Sequence, residues 1–173
     1  MLTVILECRN HEPELTQTLS VLVTGAVEGL VRDVIILDLD RADGVARIAD
    51  AAGCLYHTQW DIKDIVRNAR GSWLLFVEPG ARPQPGWVDG ISEHILISRM
   101  PAHFSPARGY RQPLIKRLLR STPPLELGLL IAKEEALASA EKAETVNDIL
   151  KGQKPKRLSA ELIPSWVMRA KAR

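Results

Sequence analysis

The first half of the chain alternates short apolar runs with segments of helical spacing, and this alternation constrains the fold more than any other feature. Apolar runs fall at residues 2–6, 34–38, 54–57 and 72–77. Between them, Leu15, Leu19, Leu22 and Ala26 repeat at helical spacing after Pro13, whose fixed φ suits a first helical turn. Val45, Ile48, Ala49 and Ala52 share one face of a second helical segment that stops at Gly53. A third starts near Asp61, carries Arg67 and Arg70 in its last turn to match the macrodipole, and closes at Gly71. Strands that alternate with helices are joined by right-handed crossovers into a parallel sheet with helices on both faces. The expected fold class is therefore α/β, with a mostly parallel central sheet.

The run 72–77 fixes where a site would lie. It is continuous, apolar and bounded by turn residues, as suits a strand covered on both faces, and polar residues begin immediately after it. Ligands of open parallel sheets bind in the crevice at the carboxyl ends of the strands, which places Glu78 and Arg82 at a candidate site. The competing reading of the same pair is a salt-bridged loop that tightens a turn. Asp38, at the end of the second run, similarly reads as a ligand contact or as a cap for the helix that follows. Asn10 reads as a residue that shapes its loop.

A chain of 173 residues with 46% hydrophobic and 25% charged residues suits one well-cored soluble domain spanning 1–173. Its net charge of +2 conceals an asymmetry. Residues 1–93, the nucleotide-binding type of half, hold 8 Lys/Arg against 14 Asp/Glu, a net of −6; residues 94–173, a short basic half, hold 15 against 7, a net of +8. No acid occurs between Glu93 and Glu126, while Arg99, Arg108, Arg111, Lys116, Arg117 and Arg120 do. With Leu114, Ile115, Leu118 and Leu119 on one helical face, the run 108–120 reads as a solvated helix packed on the sheet or as a contact for an anionic membrane surface. Aromatic residues make up 5% of the chain and no stacking module is visible, which argues against nucleic acid as a partner.

Cys8 and Cys54 lack metal or redox spacing and read as reduced core thiols. His11, His57, His94 and His103 show no metal-ligand spacing among themselves. Glu7 interrupts the first apolar run before any signal-like core develops, so a cytoplasmic protein is expected. Beyond Trp87 the pattern predicts a helix through Ile91, Ile95 and Leu96, strands near 102–105 and 127–132, helices near 134–143 and 146–151, and a basic tail.

Three blocks together resemble the family 2 glycosyltransferases of GT-A fold: Val4-Ile-Leu-Glu-Cys-Arg-Asn10, Asp33-Val-Ile-Ile-Leu-Asp-Leu-Asp-Arg-Ala-Asp-Gly44, and the stretch from Ala69 to Trp87. Their order and spacing match over about the first hundred residues. The resemblance implies transfer of a sugar from a nucleotide-diphosphate sugar donor, with a divalent metal, Mg or Mn, on the donor diphosphate. The candidate donor contacts are Glu7, Asn10, Asp38, Glu78 and Arg82: Glu78 offers a metal-binding carboxylate at the first position of the family's motif, and Arg82 is the nearest cation for the charge of the diphosphate. The chain departs from the family pattern at three points: Glu7 replaces a proline, Leu39 replaces the second of paired aspartates that hold the base, and Gly80 replaces the aspartate that holds the metal. Glu144-Thr145 is the nearest counterpart of the family's catalytic acidic pair. These departures keep a second reading open, a catalytically silent descendant that binds a ligand or partner.

Overall fold

A computed structural model of the chain describes residues 1–110 and 125–171. Most of the basic run 108–120 lies outside the described residues. In the first half, β1 (Leu2–Cys8), α1 (Glu12–Val27), β2 (Val31–Asp38), α2 (Asp43–Ala51), β3 (Leu55–His57), α3 (Ile62–Asn68) and β4 (Trp73–Val77) alternate as the periodicities predict. They are followed by β5 (Arg82–Pro83), α4 (Trp87–Ile97), β6 (Ala102–Pro106), β7 (Leu129–Ala132), α5 (Lys133–Ala140), α6 (Val146–Leu150), β8 (Lys156–Ile163) and α7 (Trp166–Lys171).

All eight strands form one sheet in the order β3, β2, β1, β4, β7, β6, β8, β5. Strands β3, β2, β1 and β4 run parallel; β7 is antiparallel to β4 and β6, β8 is parallel to β6, and β5 is antiparallel to β8. Both halves of the chain thus contribute to the same sheet. β4 lies between β1 and β7, inside the sheet, as its continuous apolar run requires.

Side chains of β1, β2 and β4 alternate between two cores, as the two-residue period of a strand demands. Val4, Leu6, Ile36, Leu75 and Val77 pack under α1, α2 and α4, against Leu15, Leu19, Leu22, Val45, Ala49, Trp87 and Ile91. Ile5, Ile35, Leu37, Leu74 and Phe76 face the other way, against Ile62, Ile65 and Val66 of α3, Ala136 and Ala140 of α5, and Ile149 of α6. Helices therefore cover both faces.

Local chemistry differs from the sequence reading at four points. Ala26 and Ala52 are exposed, and Gly25 occupies the inward position of α1 because the Trp87 indole lies where a side chain would go, 2.5 Å from an added Cβ. α3 ends at Asn68, before Gly71, and its last carbonyls are met by Lys133, whose Nζ donates to the backbone oxygens of Arg67 (2.8 Å) and Ala69 (2.7 Å). Gly71 is needed instead for close approach: its amide donates to Thr3 Oγ1 at 2.8 Å, and an added Cβ would stand 2.4 Å from the Thr3 nitrogen. Finally, the tail contains β8, whose Leu158, Ala160 and Leu162 alternate into the core between polar neighbours. Among the described residues no helix is long and apolar enough to cross a membrane.

Candidate functional site

Register places three strand ends side by side. Leu6 lies opposite Val77, Glu7 opposite Leu37 and Cys8 opposite Asp38, so Glu7, Asp38 and Glu78 stand at the carboxyl ends of adjacent parallel strands. This is the edge of a parallel sheet at which ligands bind in such folds.

Asp38 is fully buried and its carboxylate is used within the fold. It accepts from the backbone amides of Asp40 (3.1 Å) and Ala42 (2.8 Å) and from the Tyr56 hydroxyl (2.7 Å). The first two bonds turn the chain from β2 into α2; the third ties that turn to β3. Partial burial, then the bond to Asp38, push the Tyr56 phenol up to about 12. Asp40 also meets Arg9 at 3.8 Å, linking the β2–α2 loop to the β1–α1 loop.

In the β1–α1 loop, Asn10 has φ 46°, a left-handed conformation that asparagine tolerates better than most residues, and it is exposed. The Arg9 amide donates to His11 Nδ1 at 3.2 Å. Burial raises the carboxyl pKa of half-buried Glu7, and Arg9 opposes the shift. Burial, with Asp38 adding to it, pushes the Cys8 thiol up to about 12.

The loop after β4 is built on α1. The Gly80 amide donates to the Glu14 carbonyl (3.0 Å) and to Thr18 Oγ1 (2.9 Å), while the Thr18 hydroxyl donates to the Ala81 carbonyl at 2.9 Å. Gly80 has φ 93°, and an added Cβ would meet Glu14 Cγ at 3.3 Å and the Ser165 carbonyl at 3.4 Å. The fold thus asks for glycine at this position. Half-buried Glu78 accepts a hydrogen bond at Oε2 from Ser165 Oγ, a residue that is itself buried.

Arg82 does not pair with Glu78, so the salt-bridged loop is not what the structure contains. Among the described residues the half-buried Arg82 makes no ion pair, and its Nε is buried without an acceptor. Its backbone pairs with Ile163, two residues before Ser165, which brings Arg82, Glu78 and Ser165 to one corner. The aromatic ring of Tyr110 stands edge to face with Trp166, 6.3 Å between centroids, and Trp166 Nε1 donates to Glu126 Oε1 at 2.7 Å.

Glu144 and Thr145 form the start of α6. Both amides and the Thr145 hydroxyl donate to Asp148 Oδ2, a capping arrangement that accounts for these residues locally. His94 bonds the Met100 carbonyl and His103 the Phe104 carbonyl. Both free cysteines fit the reduced core reading, with Cys8 buried and Cys54 half-buried.

Solved structures share this arrangement of strands and helices. Glucosyl-3-phosphoglycerate synthase from Mycobacterium tuberculosis, in complex with Mn2+, uridine diphosphate and glucosyl-3-phosphoglycerate, superposes with a TM-score of 0.57 at 18% identity over 79% of this chain and 58% of that one. The chain has a GT-A-like fold. TarS 1-349 from S. aureus superposes with a TM-score of 0.61 at 14% identity, covering 95% of this chain and 58% of TarS. Mannosyl-3-phosphoglycerate synthase from Rubrobacter xylanophilus gives 0.61 at 12% identity, covering 91% and 65%. This GT-A-like chain therefore spans less than two thirds of the length of each solved chain. Neither protein-family models nor curated proteins give a match.

Among the described residues, the loop after β4 is a poor fit for the divalent metal named in that first complex. Gly80 offers no side chain, the Glu78 carboxylate is engaged by Ser165, and among the described residues no three His, Cys, Asp or Glu side chains converge as metal ligands. Thr18, Tyr56 and Ser165 were not legible as site residues. Thr18 sits at an ordinary helical position, Tyr56 acts through Asp38 from a separate strand, and Ser165 follows a strand hidden in a basic stretch. The alternation of Leu158, Ala160 and Leu162 was the signal that locates it.

Proposed function

We propose that the chain is a glycosyltransferase-like protein that binds a nucleotide-diphosphate sugar in the crevice at the carboxyl ends of β1, β2 and β4, and transfers the sugar to an acceptor. The observation that carries this reading is the side-by-side register of Glu7, Asp38 and Glu78 at those strand ends in a GT-A-like fold. In this reading Asn10 and Asp38 shape the two loops that flank the donor, Asp38 acting through the backbone amides it holds. Glu7 and Glu78 line the crevice between those loops. Leu39, partly exposed beside Asp38, offers the base an apolar surface rather than a carboxylate.

A second reading, a non-transferring module that binds a ligand or partner, is favoured by one observation. The carboxylates of Asp38 and Glu78 are both engaged in holding the fold. Thermal-shift screening with nucleoside diphosphates and their sugars, followed by assay of diphosphate release, separates the two. A transferase binds a nucleotide sugar and releases the nucleoside diphosphate; a silent module binds without release. No shift with any nucleotide or nucleotide sugar contradicts the donor-site assignment.

A further inference from the structure

We propose that the diphosphate of the donor is held without a divalent metal, and that Arg82 supplies the charge that faces the phosphates. This rests on the proposed donor site and adds to it the group that recognises the anion. A nucleoside diphosphate is multiply charged, and more charge develops on it as the sugar departs, so a cation must stand beside it. Magnesium or manganese can serve only if the protein provides one or two carboxylates.

The loop after β4 is committed against that solution. Gly80 is held by bonds from its amide to Glu14 and Thr18, in a left-handed conformation that a side chain adopts only with strain. Glu78 accepts the Ser165 hydroxyl in a buried corner, and turning its carboxylate toward a metal would break that bond. The single acidic side chain of the loop is thus part of the fastening between β4 and the C-terminal segment.

Arg82 shows the complementary imbalance. A guanidinium keeps its charge at every accessible pH, and its planar set of donors matches phosphate oxygens. Among the described residues this one has no carboxylate partner, and its Nε–H lies buried with no acceptor. Ala81 and Pro83 beside it are buried and uncharged, and Ile163 is its partner across the strands. Leaving this N–H of the guanidinium unmet is costly, and an anion beside it would supply the acceptor. Its backbone stands at the corner where Ser165 meets Glu78, next to the strand end at which ligands of open parallel sheets bind.

The test is calorimetric titration of the full chain with UDP, GDP and ADP, each with manganese and with a chelator, repeated for Arg82→Gln and Arg82→Lys with folding checked by thermal denaturation. The expected result is binding of at least one nucleotide with the same affinity in manganese and in chelator. Arg82→Gln should weaken it about tenfold or more, in line with a charge-assisted hydrogen bond, and Arg82→Lys should weaken it less. Binding that requires manganese overturns the inference and leaves the donor site standing. Binding undiminished in Arg82→Gln also overturns it, and means that water meets the buried Nε. Failure of all three nucleotides in both conditions defeats the donor-site reading itself. The metal comparison uses the unaltered chain, so it decides the matter even if the variants do not fold.

Discussion

The Ser165 hydroxyl donates to the Glu78 carboxylate, joining residues 87 positions apart. The link fastens the residue before α7 to the residue after the central strand β4, so the C-terminal segment and the candidate donor loop form one unit. Removing the donor deletes a hydrogen bond to a half-buried carboxylate. Ser165→Ala is expected to cost about 1–2 kcal/mol, lowering Tm by about 2–8 °C for a chain of this size. Differential scanning calorimetry of the variant reads the loss.

Gly80 carries a second expectation. At φ 93° and with Glu14 and Ser165 close by, an alanine would be strained by backbone and by contact. Gly80→Ala should destabilise by about 1–3 kcal/mol in chemical denaturation. A neutral result would show that the loop can relax and that glycine is not required there.

Tyr56 makes stability depend on alkaline pH. Its folded-state pKa of about 12 exceeds the ordinary value of 10.0, so the native state retains a proton that the unfolded chain gives up. The contribution is complete below pH 10 and is lost as pH rises toward 12. Stability followed by denaturant titration should fall over that window, and the part due to Tyr56 should be absent in Tyr56→Phe. Of the two tyrosines, spectrophotometric titration should find one ionising well above the normal range.

The thiols give a chemical check on burial. With Cys8 pushed up to about 12 and Cys54 to about 11, thiolate is scarce near neutral pH. A disulfide reagent at pH 8 should modify both at least about a hundredfold more slowly in the native protein than in denaturant, because the thiolate is the reactive form. Rapid native labelling of Cys8 would contradict its buried position at the end of β1.

The sheet was legible because its centre depends on nonlocal burial that leaves a local mark. Val4, Leu6, Leu75 and Val77 face one core, Ile5, Leu74 and Phe76 the other, and only strands covered on both faces write such uninterrupted apolar runs. β8 is masked in the sequence by Lys156, Arg157 and the neighbouring lysines, whose charge overlies the alternation of Leu158, Ala160 and Leu162 that makes the strand. The positions of Asp38 and Glu78 at strand ends could be inferred from the runs that precede them. Their partners could not, since Tyr56 and Ser165 reach them through tertiary contacts that leave no spacing in the sequence.

Hydrogen–deuterium exchange of the full chain, with and without a nucleotide sugar identified by thermal shift, addresses the donor site most directly. The account predicts slowed exchange in peptides covering 7–11, 38–44 and 78–84, the three loops brought together by the register of β1, β2 and β4. Protection confined to other parts of the chain, with these three loops unchanged, would contradict it.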